Sequence, residues 1–324
     1  MADKKIIAVL GATGAQGGGL VRAILNDPNG GFAARAITRD VNSDKAKELA
    51  KLGAEVVAGD VDDVESLKKA FSGAYGVFGV TFFWAHFSPE KEIANATNIA
   101  QAAKAAGAKH VIWSSLEDTR KWIPLDDNRM PTLQGKYKCP HFDAKGEADQ
   151  QFTSLGLPLT IMLASFYWDN AIYFGMGPHR GADGKLTLTL PMADKKLAGI
   201  AAGDIGKCAY GIFKNPSQWI GKTVGIAGEH LTGDQLAAGY AKALGEPVSY
   251  NAVSWDAYRG FGFPGAEDLG NMFQFYSEFE DYFCGARSLA TSRDLNPALQ
   301  NFDTWLAENK SRIPIEPITQ TVKA

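Results

Sequence analysis

The sequence predicts an α/β protein, a doubly wound parallel sheet followed by a smaller C-terminal α+β lobe. Two observations predict it. Through Ser114, short unbroken apolar runs alternate with helix-like stretches, the pattern of parallel strands covered on both faces. Directly after the first run stands Gly11-Ala12-Thr13-Gly14-Ala15-Gln16-Gly17, with glycines three residues apart. That is the turn chemistry of a Rossmann strand feeding a helix.

The elements follow in order. Residues 6–10 read as a strand, and an amphipathic helix lies around residues 20–25. Asp27-Pro28-Asn29-Gly30-Gly31 ends that helix, because neither Pro nor Gly continues it comfortably. Residues 32–38 form the second strand and 44–52 the second helix, with Gly53 as its stop. Residues 56–58 give a third strand, 64–71 a third helix and 76–83 a fourth strand. A long Ala-rich helix covers 90–106, and a fifth strand covers 110–114. Residues 142–155 read as a helix and 159–163 as a strand. Beyond Phe166 the chain turns aromatic and glycine-rich. Residues 186–190 alternate Leu and Thr, as an antiparallel or edge strand does, and 204–213 and 232–244 look helical. Toward the end come Trp255, Tyr258, Phe261, Phe263, Phe273, Phe275, Tyr276, Phe279, Tyr282 and Phe283, read mostly as core. The expected division is a dinucleotide-binding domain over 1–165, rejoined by segments around 195–230, and a smaller substrate or partner lobe over 166–324.

Composition narrows the function. The 324 residues are 45% apolar and 21% charged with a net charge of -3, which supplies no basic field for nucleic acid. Lys68-Lys69 and Lys195-Lys196 are too short to be a basic tract and read as solvated surface. Cys139, Cys208 and Cys284 are far apart and show no metal-ligand spacing, so neither a metal site nor a disulfide framework is expected. Apolar runs fall short of a membrane span. Met1-Ala2-Asp3-Lys4-Lys5 runs straight into a strand without the apolar region of a secretory signal. The expected setting is the reduced cytoplasm.

The glycine turn carries the first functional expectation. Gly11, Gly14 and Gly17 let bare backbone turn tightly and approach a pyrophosphate, with Thr13 and Gln16 beside them. The helix that follows aims free N–H groups and its positive end at the phosphates. Gly18 and Gly19 let that helix pack closely on the sheet. The second strand ends in Thr38-Arg39-Asp40. Arginine at this tip suits the 2′-phosphate of NADP, so NADP(H) is preferred over NAD(H). Asp40 either turns inward or pairs with Arg39. Asp60 and Val61, after the third strand, are placed to meet the adenine, while Asp60 to Asp63 equally suit a helix cap. Thr81 and Phe82 border the ribose and nicotinamide end.

These features resemble the NmrA-like family of atypical short-chain dehydrogenases. The resemblance is carried by the Gly11/Gly14/Gly17 turn, Thr38-Arg39-Asp40, Val57-Ala58-Gly59-Asp60, His141-Phe142-Asp143-Ala144-Lys145-Gly146-Glu147 and Asp204-Ile205-Gly206. It implies a Rossmann domain, NADP(H) preference and a smaller closing lobe. Short-chain dehydrogenases usually carry Tyr-x-x-x-Lys on one helix face, the tyrosine as general acid and the lysine on the nicotinamide ribose. Here Lys145 is in place, and His141 stands where the tyrosine belongs. His141 either donates a proton or caps and packs beside Pro140, where the helix is expected to begin; Tyr137 is a less convincing substitute. Reductases similar to the isoflavone-reductase branch imply a lysine that works without the tyrosine, and as a base it needs its pKa depressed. Ser114 and Ser115 end the fifth strand, where the superfamily places a substrate-orienting serine. Phe166, Tyr167 and Asn170, in Phe166-Tyr167-Trp168-Asp169-Asn170, would line the nicotinamide side or pack as core.

Two functions follow. The leading one is a redox or cofactor sensor that binds NADP(H) and signals to a regulatory protein, since the tyrosine is replaced. The alternative is an NADPH-dependent reductase of a small hydrophobic, aromatic or quinone-like substrate that uses Lys145 and His141. A homodimer is compatible with either. Direct nucleic-acid or membrane binding is not expected.

Overall fold

The structure, a computed structural model, describes residues 4–315. Met1 to Asp3 of the charged lead-in lie outside the described residues. The first stretch of chain builds β1 (Lys5–Val9), α1 (Ala15–Leu25), β2 (Phe32–Thr38), α2 (Asp44–Lys51), β3 (Glu55–Ala58), α3 (Val64–Phe71), β4 (Gly76–Gly79), α4 (Pro89–Ala105), β5 (His110–Ser115), α5 (Pro140–Thr153) and β6 (Leu159–Leu163). There follow β7 (Phe166–Tyr167), α6 (Asn170–Tyr173), β8 (His179–Arg180), β9 (Leu186–Leu190) and β10 (Lys196–Ile200). The chain continues with α7 (Ala202–Lys214), α8 (Pro216–Trp219), β11 (Thr223–Gly225), β12 (Glu229–Thr232), α9 (Gly233–Leu244) and β13 (Val248–Ala252). It ends with α10 (Trp255–Arg259), α11 (Ala266–Glu278), α12 (Glu280–Ala286), α13 (Leu289–Leu295) and α14 (Phe302–Asn309).

These elements divide into two units. The first comprises residues 1–164, 202–226 and 287–299, and the second 165–201, 227–286 and 300–324. The first holds a seven-stranded sheet in the order β3-β2-β1-β4-β5-β6-β11, every pairing parallel. The direction of winding reverses between β1 and β4. In such sheets the crevice at the strand ends beside that reversal is where ligands bind. One side of the sheet is filled by Leu10, Val77, Val111 and Trp113 against Ala96, Ile99 and Ala103 of α4, with Phe152 of α5 stacked on Trp113 at 4.7 Å.

The other side shows why α1 is glycine-rich. A Cβ on Gly17 would lie 2.4 Å from the Leu10 carbonyl, so this residue lets the helix meet the strand end. Gly19 does something the sequence did not suggest. It faces α7 rather than the sheet, where a Cβ would lie 2.3 Å from the Gly203 carbonyl. A Cβ on Gly206 would reach within 2.1 Å of the Leu20 nitrogen. The two helices therefore meet backbone to backbone, which accounts for Asp204-Ile205-Gly206.

The expected fourth strand overran its end. β4 stops at Gly79, and Phe83–Ala85 forms a 3-10 turn instead. The run is apolar apart from Thr81, but its last residues serve the site described below.

The second unit carries two three-stranded sheets, β12-β10-β7 and β13-β9-β8. The Leu/Thr alternation of β9 does mark a strand with one buried face, and it is antiparallel to β8. It is not an edge, because β13 pairs with it in parallel on its other side. Trp168 fills the space left by Gly199 and Gly228 and packs on Phe302 and Trp305. Of the late aromatic series, Tyr258, Phe273, Phe275, Tyr276 and Phe283 are buried, whereas Phe261, Phe263 and Tyr282 are exposed. Among the described residues no helix is long and apolar enough to cross a membrane.

Candidate functional site

The loops leaving the carboxyl ends of β1 to β5 hold most of the residues singled out from the sequence. Gly11 turns with φ +61°, a conformation that side-chain-bearing residues rarely adopt, and its carbonyl accepts the Gly14 N–H at 2.8 Å. Gly14 caps α1 without a side-chain oxygen, and the first turn holds no acidic residue. The positive end of α1 therefore carries neither a side-chain cap nor a first-turn acid. Thr13 is half-buried, and the Gln16 Oε1 accepts the Ser114 hydroxyl at 2.8 Å, tying the turn to the end of β5.

Arg39, just past β2, is exposed and makes no hydrogen bond or ion pair among the described residues. Asp40 does not pair with it, because Asp40 Oδ1 accepts the Asn42 N–H at 2.8 Å. After β3, Asp60 Oδ1 accepts the Asp62 N–H at 3.0 Å, and Asp63 caps α3 through Glu65 and Ser66. The Val61 carbonyl accepts from both Asn95 and Asn98 of α4, at 3.2 and 2.9 Å. These two asparagines, unnoticed in the sequence, fix the loop that carries Asp60 and Val61.

The densest polar cluster centres on Lys145 of α5. Its ammonium donates to Thr81 Oγ1 at 2.7 Å and lies 2.7 Å from Glu92 Oε1, with the Trp113 ring 5.2 Å away. Thr81 also donates to Glu92. Glu92 is fully buried. Burial pushes its carboxyl upward, but the Lys145 charge, His86 and Thr81 outweigh burial and hold it at about 2. Glu92 was missed in the sequence, though a signal existed. It shares the buried face of α4 with Ala96, Ile99 and Ala103, at helical spacing, and is the one charged group in that row. Phe82, between the cluster and the 3-10 turn, is 59% exposed.

His141 lies in the first turn of α5, which opens at Pro140. It is buried among aromatic rings, 4.7 Å from Trp84, 4.9 Å from Phe142 and 6.0 Å from Phe83. The helix start is pinned by Asp143, whose carboxylate accepts from Thr119 N–H and hydroxyl, Lys138 N–H and Cys139 N–H. Burial raises the Asp143 carboxyl to about 6 against those four bonds. Tyr137 precedes the helix and is buried, its hydroxyl 3.4 Å from Glu90. One turn beyond Lys145, Asp149 accepts from Ser115 at 2.6 Å and Trp113 at 3.0 Å, and burial raises it to about 7.

A further brace was invisible in the sequence. Arg287 is fully buried and grips both Glu117 oxygens at 2.7 and 3.0 Å and the Ala164 carbonyl at 2.7 and 2.9 Å. It ties the chain leaving β5 to the chain leaving β6. Phe166 and Tyr167 form β7 and Asn170 opens α6, all in the second unit, where Phe166 packs on Phe273 at 5.9 Å.

Sheet order, glycine turn and uncapped helix together define the class: an α/β protein with Rossmann topology. The chain belongs to the NmrA-like family, an NAD(P)-binding family, which matches residues 3–306. The NmrA-like family domain-containing oxidoreductase FrzB of Cladobotryum sp is 29% identical over 83% of this chain and 83% of its own length. The corresponding oxidoreductase notA of Aspergillus sp. (strain MF297-2) is 32% identical over 84% and 83%. Among solved structures, NmrA, described as a negative transcriptional regulator, in complex with NADP superposes with a TM-score of 0.77, at 26% identity over 94% of this chain and 95% of that one. The same protein has been crystallised with NAD.

Proposed function

We propose that this chain is an NADPH-dependent reductase of small, flat, hydrophobic carbonyl or quinone-like substrates. The observation that carries this reading is the Glu92–Lys145–Thr81 cluster, in which a part-buried cation is organised by a fully buried carboxylate beside the strand ends. A protein that only senses its cofactor has no need of a proton donor there.

The residues fit a dinucleotide. The turn at Gly11 and Gly14 would let bare backbone approach a diphosphate, with Thr13 and Gln16 beside it, while Gly17 seats the helix start against the strand end. Arg39 would hold the 2′-phosphate, which favours NADP(H) over NAD(H). Asp60 and Val61 would meet the adenine, and Thr81, Phe82 and Lys145 the ribose and nicotinamide end. When bound, NADPH supplies a hydride. Lys145 would bind the ribose and deliver the proton, and the exposed Phe82 offers an apolar face for a flat substrate. His141, packed among rings, would shape that face more than donate.

A second reading has its own observation. The residue at the tyrosine position, His141, is enclosed by aromatic rings, and the similar NmrA is described as a regulator. On that reading the chain binds NADP(H) and passes its redox state to a protein partner. Anaerobic NADPH oxidation with a panel of quinones and aromatic aldehydes separates the two. Turnover that Lys145→Ala abolishes supports the reductase; no turnover with any acceptor leaves the sensor.

A further inference from the structure

Lys145 as a general base would need surroundings that favour the neutral amine. The geometry is the opposite. Its Nζ lies 2.7 Å from a fully buried carboxylate, and its other oxygen partner, Thr81 Oγ1, accepts from it at 2.7 Å. His86 lies on the far side of Glu92. Its Nδ1 accepts the Ser88 N–H at 3.1 Å, which leaves Nε2 toward Glu92 Oε2 at 3.4 Å, a contact in which neither atom makes a hydrogen bond among the described residues. The chain of contacts therefore runs from a backbone amide that orients the ring, through the ring edge, to a carboxylate, to Lys145. It has the logic of a catalytic triad, but ends on a proton donor instead of a nucleophile.

We propose that Glu92, supported by His86, is the positioning residue that keeps Lys145 an ammonium and commits the site to donating a proton, hence to reducing a carbonyl. This rests on the reductase reading. The balance is simple. The substrate carbon takes the hydride and electron pair supplied by the reduced cofactor, which becomes NADP⁺. The substrate oxygen takes a proton, one Lys145 N–H breaking as one O–H forms, and the neutral amine recovers a proton from water. Other groups also face the cluster. The Trp113 ring and Asp149 face Lys145, with Lys121 acting on Asp149, and Ser88 and Asp62, the latter paired with Lys91 at 3.0 Å, lie near His86. Asp149 adds to the hold on Lys145 only when it is ionised.

The test needs no bound cofactor. The Lys145 side-chain nitrogen is followed by NMR against pH in the unliganded chain carrying ¹⁵N-lysine, in wild type, Glu92→Gln, Glu92→Asp and His86→Gln. Glu92→Gln is expected to lower the titration midpoint of Lys145 by about one pH unit or more, a tenfold change in proton affinity. His86→Gln is expected to lower it less, and Glu92→Asp, which keeps the charge, to restore most of it. In turnover of 9,10-phenanthrenequinone with NADPH, the alkaline fall of kcat moves by the same amount, with little change in KM for NADPH. Coincident Lys145 titrations in wild type and Glu92→Gln overturn the proposal; if Glu92→Gln does not fold, coincidence with His86→Gln does. A wild type that reduces no quinone or aldehyde, while its Lys145 titration still moves with Glu92, sinks the reductase reading alone.

Discussion

Replacing Arg39 by alanine isolates the choice of dinucleotide. The side chain is exposed and unpaired among the described residues, and Asp40 is engaged with Asn42. Nothing in the fold leans on it, so Arg39→Ala should leave stability within about 0.5 kcal/mol of wild type. The whole effect then falls on the ligand. A charge-assisted hydrogen bond contributes about 1.5–3 kcal/mol, which is roughly a 10- to 150-fold loss of NADPH affinity. NADH, lacking the phosphate, should bind as before. Arg39→Lys keeps the charge but not the planar fork and should recover part of the loss. The interaction is exposed, so the preference should shrink as salt is raised. Fluorescence titrations of both reduced cofactors at two salt concentrations measure all of this. Equal losses for NADPH and NADH, or no loss for either, would refute the assignment.

Three other perturbations test the frame around the site. Lys145→Met strands a buried carboxylate, so urea unfolding should show a loss of about 3–5 kcal/mol, most of it regained in Lys145→Met/Glu92→Gln; a single variant as stable as wild type contradicts the buried pair. Gly206→Ala drives a methyl to within 2.1 Å of α1 backbone, and overpacking of this kind should cost about 1–3 kcal/mol, together with weaker NADPH binding, because Gln16 lies on the displaced turn. His110 is buried, and burial lowers it to about 4 from an ordinary 6.5. The unfolded chain therefore binds this proton first as pH falls. The stability that His110 contributes is complete above pH 6.5 and is lost between there and about pH 4, by roughly 3 kcal/mol in all. His110→Leu should remove that part of the acid dependence, and parallel pH–stability curves for the two proteins would argue against it.

Six of the seven strands of the main sheet and the glycine turn were legible because burial on both faces writes itself as unbroken apolar runs, and a tight strand-to-helix turn demands glycine; the three-residue edge strand β11 left no such run. What the sequence hid was pairing over distance. Nothing near Glu92 announces Lys145, and nothing near Glu117 announces Arg287, since each pair is brought together only by the assembled fold. The overrun of β4 has the same origin. Residues 80–83 are as apolar as a strand, yet Thr81 leaves the ladder because its hydroxyl bridges Lys145 and Glu92. For β9 the alternation showed one buried face and suited an antiparallel pairing, which β8 supplies, but the parallel partner β13 lies far downstream and left no sign of itself. Gly19 and Gly206 were visible as glycines without revealing that they face each other's helices.

Sensor and reductase share the same turn around the diphosphate, so the glycines cannot separate them. The buried pair can. Taking Glu92 wholly and Lys145 largely out of water costs several kcal/mol, and their attraction offsets that without much surplus. Two apolar side chains of similar volume would hold α4 against α5 at least as well, as the Ala and Ile residues along the rest of that face already do. The ion pair sits instead at the N-terminal end of α4, against Thr81 and one turn from Asp149, beside the strand ends where the winding of the sheet reverses. A charge placed at such expense, at that end of the helix, is what the proposed proton chemistry calls for and packing alone does not. This is why turnover with quinones and aldehydes, read together with the Lys145 titration, separates the two readings where a binding measurement cannot.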